Sequence, residues 1–334
     1  MKILILSDRI PPENAGGAEQ IAWNFATGLR DLGHEVHVLA ATTGAPFQAT
    51  RDGLMTTHIH ARWPVRLHAY FTLYHPGVAR QIATVYDNVR PDVIGAFNIH
   101  NALTYHSLTL AHRRGIPVVA YFQDFMSVTY GKLTHFIRPD KVNYAPEDYR
   151  LPPFHNPKLM RLRYNPLRNP RIRHVLTHHV TMRVSMSSAL RTALGVNGIE
   201  LEKVVYPGID EAKWAVTGSQ VHDIRNRLQL VGKPTILMAG RLNAYKGSAE
   251  LLAALRLVRE VIPDVRLLLL TRSTLEKQGL MQPEYAVLLP HIVVGGWLEG
   301  SELAAAYSAA DVVASPSMCF ETLCAVNQEA MVVH

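Results

Sequence analysis

The chain has 334 residues, enough for two domains with full-sized cores. Its 48% apolar and 18% charged content excludes a disordered or fibrous protein. The formal net charge of +7 is uneven, with 24 Lys and Arg against 16 Asp and Glu in residues 1–213 but 10 against 11 in residues 214–334.

KILILS (2–7) is a short apolar run, the pattern of a strand buried on both faces. With its charged flank it is too short for a signal peptide, and no apolar run in the chain approaches the length of a membrane span. PPENAGGAEQ follows as a loop carrying Gly16 and Gly17, and IAWNFATGLRDLG reads as a helix closed by Gly33. EVHVLAAT, DVIGAF and IPVVAYF are further strands, the last two separated by the helical NALTYHSLTLAHRRG. Residues 127–173, rich in Pro, Asn and Arg, read as an irregular insertion. No acid occurs between Tyr149 and Ile199, a stretch that includes Arg150, Lys158, Arg161, Arg163 and Arg168. Such a surface suits anionic lipid, a phosphorylated acceptor or a solvated face; no nucleic-acid motif accompanies it. HHVTMRVSMSSALRTALGV gives another strand and helix, and KVVYPGID closes the first series before a linker at 211–218.

PTILMAG opens a second series, in which RLLLLT, HIVVGG and DVVASPS are strands and SAELLAALRLVREVI and SELAAAYSAA are helices. The alternation predicts an α/β protein of two Rossmann-like, doubly wound domains, 1–213 and 214–334, facing a cleft. Cys319 and Cys324 lack the second pair that a zinc site needs and read as reduced thiols, which points to a cytoplasmic protein, peripheral at the inner membrane face if the basic segment meets lipid.

Three constellations fall at strand ends. Gly16 and Gly17 either form a plain turn or let the backbone approach an anion at a helix start. In AGRLNAYKG, Arg241 and Lys246 put two cations before a helix, a pattern suited to a pyrophosphate. PSMCFETLCAVNQEAM holds Glu321 and Glu329; a helix running from the first to the second would set them about 12 Å apart and about 80° around the axis. Carboxylates so placed could accept hydrogen bonds from the two sugars of a nucleotide sugar, with the phosphates between. His58 with His60 and His178 with His179 lack a third ligand, and no metal site is expected.

Together these motifs, with YPGID at 206–210 and GGWLEGSELAAAYSAADVVASPS, resemble the retaining glycosyltransferases of family four, which have the GT-B fold. The resemblance spans nearly the whole chain. It implies a UDP- or GDP-linked sugar donor bound mainly by the second domain, no cofactor, no metal requirement, and a sugar or lipid-linked acceptor on the first domain. By the same resemblance, Glu321 contacts the transferred sugar and Glu329 the ribose, while Gly240, Arg241, Lys246 and Gly247 hold the diphosphate. Trp297 and Leu298 border the base, and Leu323, Cys324 and Ala325 line the phosphate turn. Catalytic roles fall to Glu321, Gln123 and Asp124.

The chain departs from the family pattern in three places. Gln123-Asp124 stands where many relatives have His-Asp, and a glutamine cannot shuttle a proton. Leu323-Cys324 replaces Phe-Gly. Relatives also continue beyond the position of His334, so the second domain reads as truncated. The expected activity is hexosyl transfer in polysaccharide or glycolipid assembly. The alternatives are a non-catalytic sugar-nucleotide-binding relative and a sugar-nucleotide epimerase. His100, at another strand end, reads as a structural histidine.

Overall fold

The computed structural model describes residues 1–12, 16–137, 143–240, 242–272 and 283–333. The chain divides into two compact units, Met1–Pro207 and Gly208–His334, the division falling inside YPGID. Among the described residues no helix is long and apolar enough to cross a membrane.

The first unit contains β1 (Lys2–Leu6), α1 (Gly17–Asp31), β2 (Glu35–Thr42), β3 (Phe47–Arg51), β4 (Leu54–His60), α2 (His68–Phe71), α3 (Pro76–Val89), β5 (Val93–Ala96), α4 (His106–Arg113), β6 (Val118–Phe122), α5 (His155–Met160), α6 (Arg168–His178), β7 (Met182–Ser185), α7 (Ser188–Gly195) and β8 (Lys203–Val204). Its strands form an eight-stranded sheet in the order β3-β4-β2-β1-β5-β6-β7-β8. Every pairing is parallel except β3 with β4. Ile3 to Leu6 of β1 are all buried, as a central strand covered on both faces requires. The hairpin was not expected from the sequence, although its signal is there: Asp52 (φ 49°) and Gly53 (φ 72°) make the paired left-handed residues of a tight hairpin turn. The segment read as an irregular insertion is also more ordered than expected. It contains α5 and most of α6, whose Ile172 and Leu176 are buried.

The second unit comprises α8 (Gly218–Arg227), β9 (Thr235–Ala239), α9 (Ser248–Val261), β10 (Arg266–Leu270), β11 (Ile292–Val294), α10 (Gly300–Ser308), β12 (Val312–Val313) and α11 (Ala325–Val333). Its parallel sheet has the order β11-β10-β9-β12. Alternation along β10 explains the double winding. Leu268 and Leu270 pack with α8 and α10, whereas Leu267 and Leu269 pack with Leu251, Leu252 and Leu255 of α9 on the opposite face. Helix α8, which the sequence reading did not include, begins at Gly218, where the expected linker ends. Its apolar stripe is thin, with Ile224 alone buried, but Thr217 and Gln220 cap it reciprocally.

Asp8, directly after β1, fixes the end of the first sheet. Its buried carboxylate accepts backbone N–H groups from Asn101 (2.5 Å), Ala102 (2.8 Å) and Leu103 (2.7 Å), tying β1 to the loop that follows β5. Burial raises the Asp8 pKa, partly offset by the neighbouring His100 and by these three bonds. Removing the carboxylate strands three donors, each worth about 1–3 kcal/mol when unsatisfied. Asp8→Ala is therefore expected to lower unfolding stability by about 3 kcal/mol or more in urea titration, and Asp8→Asn, which keeps an acceptor, by clearly less. Equal losses in the two variants would refute the latch.

Candidate functional site

In the second unit the site is built where two strand-to-helix loops meet. After β9, the Asn243 side chain accepts the Lys246 N–H at 3.1 Å and shapes a short 3-10 turn over Ala244–Lys246. Gly247 follows with φ 69°, and a Cβ there would overlap the Pro316 carbonyl oxygen, with the carbonyl carbon only 2.8 Å away. Only glycine allows this approach. The loop after β12 is pinned from its other side, where the Met318 N–H donates to the Tyr245 carbonyl at 2.9 Å.

This clamp brings Lys246 against Glu321, with Nζ 2.7 Å from Oε1. The side chains are 28% and 23% exposed, so the pair is mostly shielded from water and still reachable. The Cys319 thiol donates to the same carboxylate oxygen at 3.6 Å. Helix α11 starts at Ala325, so Glu321 lies in the turn before it and the expected helical spacing of the two glutamates does not hold. The run MCFETL is non-helical, and its Met318 N–H is bound to the neighbouring loop. Leu323 and Cys324 complete the turn, the Cys324 Sγ lying 3.1 Å from Ser315 Oγ.

Glu329 stands just over one turn into α11. Its carboxylate accepts the phenol O–H of Tyr307 at 2.5 Å. Tyr307 is fully buried on α10 and braced edge-on by Trp214, ring centroids 5.5 Å apart. Burial raises the Glu329 pKa, and the Tyr307 hydrogen bond works against that rise. The sequence reading missed Tyr307; its signal was a lone phenol within the alanine-rich core face of α10.

Among the described residues, the other expected donor residues have local partners of their own. Gly240 ends β9 at φ 112°, its N–H held by the Leu270 carbonyl at 2.9 Å. Arg241 lies outside the described residues. The Trp297 indole donates to Glu299 at 2.8 Å, and the Arg272 guanidinium covers its face at 4.0 Å. Leu298 packs against the hydrophobic core beside α10, so its side chain serves packing.

In the first unit, Gly16 caps α1 and Gly17 opens it. A Cβ on Gly16 would collide with the flexible end of Glu19, while one on Gly17 would meet nothing. Gln123 and Asp124 follow β6 and line a cavity of about 30 Å³ with Asn98, His100 and Ser127. Gln123 is 7% exposed. Neither of its amide atoms has a hydrogen-bond partner among the described residues, and the same holds for Asn98 Oδ1 and Ser127 Oγ. Unsatisfied buried amides are rare enough to need a reason, and a polar ligand is one. His100 Nε2 lies 3.5 Å from the Asp124 carboxylate. His100, expected to be structural, thus shares the cavity with both candidate residues. His58 stacks on Phe47 and His179 on His112, with no group of three metal-ligating side chains among the described residues.

Comparison with known proteins bears on the fold and the family. Among solved structures, the chain is similar to HepE of Anabaena in complex with UDP-glucose (20% identity, TM-score 0.64, covering 100% of this chain and 78% of that one). It is likewise similar to a glycosyltransferase from Rickettsia africae (16%, 0.65, 99% and 77%) and to the trehalose-6-phosphate synthase OtsA (13%, 0.66, 100% and 82%). These likenesses identify the fold as GT-B. No curated protein sequence matches the chain significantly. The family model of glycosyl transferases group 1 matches residues 233–334. A second model, Glycosyltransferase Family 4, matches residues 15–213, more than half of the chain, and the protein belongs to that family.

Proposed function

We propose that the protein is a retaining glycosyltransferase that moves a hexosyl unit from a nucleoside diphosphate sugar to an acceptor in polysaccharide or glycolipid assembly. The observation that carries this reading is the Lys246–Glu321 pair, a cation and an acid held together at adjoining strand ends. In the reaction, the bond between the anomeric carbon and the diphosphate oxygen breaks, a bond to an acceptor hydroxyl oxygen forms on the same face, and the hydroxyl proton passes to the departing diphosphate. Negative charge develops on the departing diphosphate. Lys246 and, by the same reading, Arg241 stabilise it, aided by the start of α11. Glu321 orients the transferred sugar, and Glu329, held by Tyr307, accepts from the ribose hydroxyls. A UDP-linked donor is favoured because HepE was solved with UDP-glucose, with UDP, and with UDP and glucose. Gln123 and Asp124 are assigned to the reacting sugars, and the basic first unit to the acceptor.

A second reading, donor binding without transfer, rests on Gln123, which cannot shuttle a proton. Release of nucleoside diphosphate in the presence of varied acceptors separates the two: steady release supports transfer, and tight donor binding without release supports the binding module.

Lys246→Ala is expected to weaken UDP and UDP-sugar binding at least tenfold in calorimetry, about 1.4 kcal/mol. Glu321→Gln should leave UDP affinity at or above the parent value, because it frees Lys246, while turnover falls about a hundredfold. Unchanged UDP affinity in Lys246→Ala would remove the diphosphate assignment.

The pair on α11 carries its own pH test. Glu329 must be ionised to accept from the ribose, so donor affinity falls as pH drops through its raised pKa. Tyr307→Phe deletes the bond that restrains that rise. The acid limb of donor affinity should therefore move to higher pH in Tyr307→Phe, with affinity at alkaline pH reduced only a few-fold. An unmoved limb would show that Glu329 does not contact the donor.

A further inference from the structure

The acid-free segment of the first unit presents a surface for which the donor site has no use. Between residues 154 and 167 several large apolar side chains face solvent: Phe154 is 73% exposed, Leu162 fully so and Leu167 61%. Leu159 is also exposed. Lys158, Arg161 and Arg163 alternate with them and are exposed as well. Among the described residues none of these three cations is paired with a carboxylate, and the sequence offers none between Tyr149 and Ile199. A single exposed leucine is ordinary; apolar side chains interleaved with unpaired cations over one short segment are not.

The backbone here is also shaped rather than slack. Phe154 (φ 61°) and Arg161 (φ 49°) flank α5 with positive φ values that side chains with a Cβ seldom adopt, Phe154 in the left-handed conformation. The segment is fastened from beneath. Asn156 Nδ2 donates to the Val128 carbonyl at 2.8 Å, and Asn165 Nδ2 to the Ala69 carbonyl at 3.1 Å. The outward residues are thus held outward by an anchored base.

We propose that this segment docks the protein on an anionic lipid surface, the leucines and Phe154 entering the acyl boundary and Lys158, Arg161 and Arg163 meeting lipid phosphates. The apolar share selects lipid over nucleic acid: aliphatic side chains insert among acyl chains, whereas single-stranded bases bind chiefly by stacking on aromatics. The surface lies wholly in the first unit, so its test is independent of the donor assignment in the second.

The test is cosedimentation of the full chain with vesicles of phosphatidylcholine alone and of phosphatidylcholine mixed with phosphatidylglycerol. Affinity for the anionic vesicles should exceed that for the neutral ones at least tenfold, and should be lost near 1 M salt, where the screening length falls to about 3 Å. The neutral double variant Leu159→Ser, Leu162→Ser should lose at least tenfold in anionic-vesicle affinity with its melting temperature unchanged, and so should the triple variant Lys158→Gln, Arg161→Gln, Arg163→Gln. Equal binding to both vesicle types, no binding to either, or full binding by the leucine variant would overturn the proposal. Salt-sensitive binding of single-stranded RNA without vesicle binding would assign the charge to nucleic acid and overturn it equally.

Discussion

The second unit depends on the absence of one carbon atom. Because Gly247 has no Cβ, the loop after β9 can rest on the carbonyl of Pro316, and the Met318 N–H locks the two loops together. Lys246 lies one residue from that contact and Glu321 five residues beyond it on the other loop, so their ion pair is a product of backbone fit. A single Lys–Glu pair that still meets water contributes little to stability. Its value is positional: it presets a cation and an acid where charge and hydroxyls are to be read. Helix α11 begins only at Ala325, so Glu321 is presented from the turn and not from a helix face.

The strand-and-helix alternation was legible because both sheets are buried on two faces, which writes near-continuous apolar runs such as KILIL and RLLLL into the chain. What escaped was held by other means. The β3–β4 hairpin rests on the Asp52-Gly53 turn, and β3 is largely exposed, so its residues lack a core signature. Helix α8 is fixed by its caps and a single buried Ile224, and α6 by packing that the Arg-rich composition disguised. Propensity and patterning see burial; they do not see turns and caps unless these are sought one by one.

The site shows the same division. Lys246, Gly247 and Glu321 could be found from motif spacing, and the structure brings them into contact. The geometry between the two glutamates could not, since it was inferred from a helix that begins four residues late. Tyr307 and Asp8 were invisible as participants because their importance is relational. Tyr307 matters only once α10 lies beside α11, and Asp8 only once the loop after β5 folds over it. Gln123 was visible as a departure from the family pattern, but not as an amide left without partners in a small polar cavity.

The two margins of the eight-stranded sheet differ in how much ladder they present. On one side stands β3, which ends in Arg51 and is bent back by a tight turn; on the other stands β8, only two residues long. A sheet this wide would ordinarily offer a long row of unpaired amides along which a second chain could add itself. Here β8 cuts one border to two residues, so the long outer ladder belongs to the five residues of β3, and a chain that adds to this sheet does so on that side.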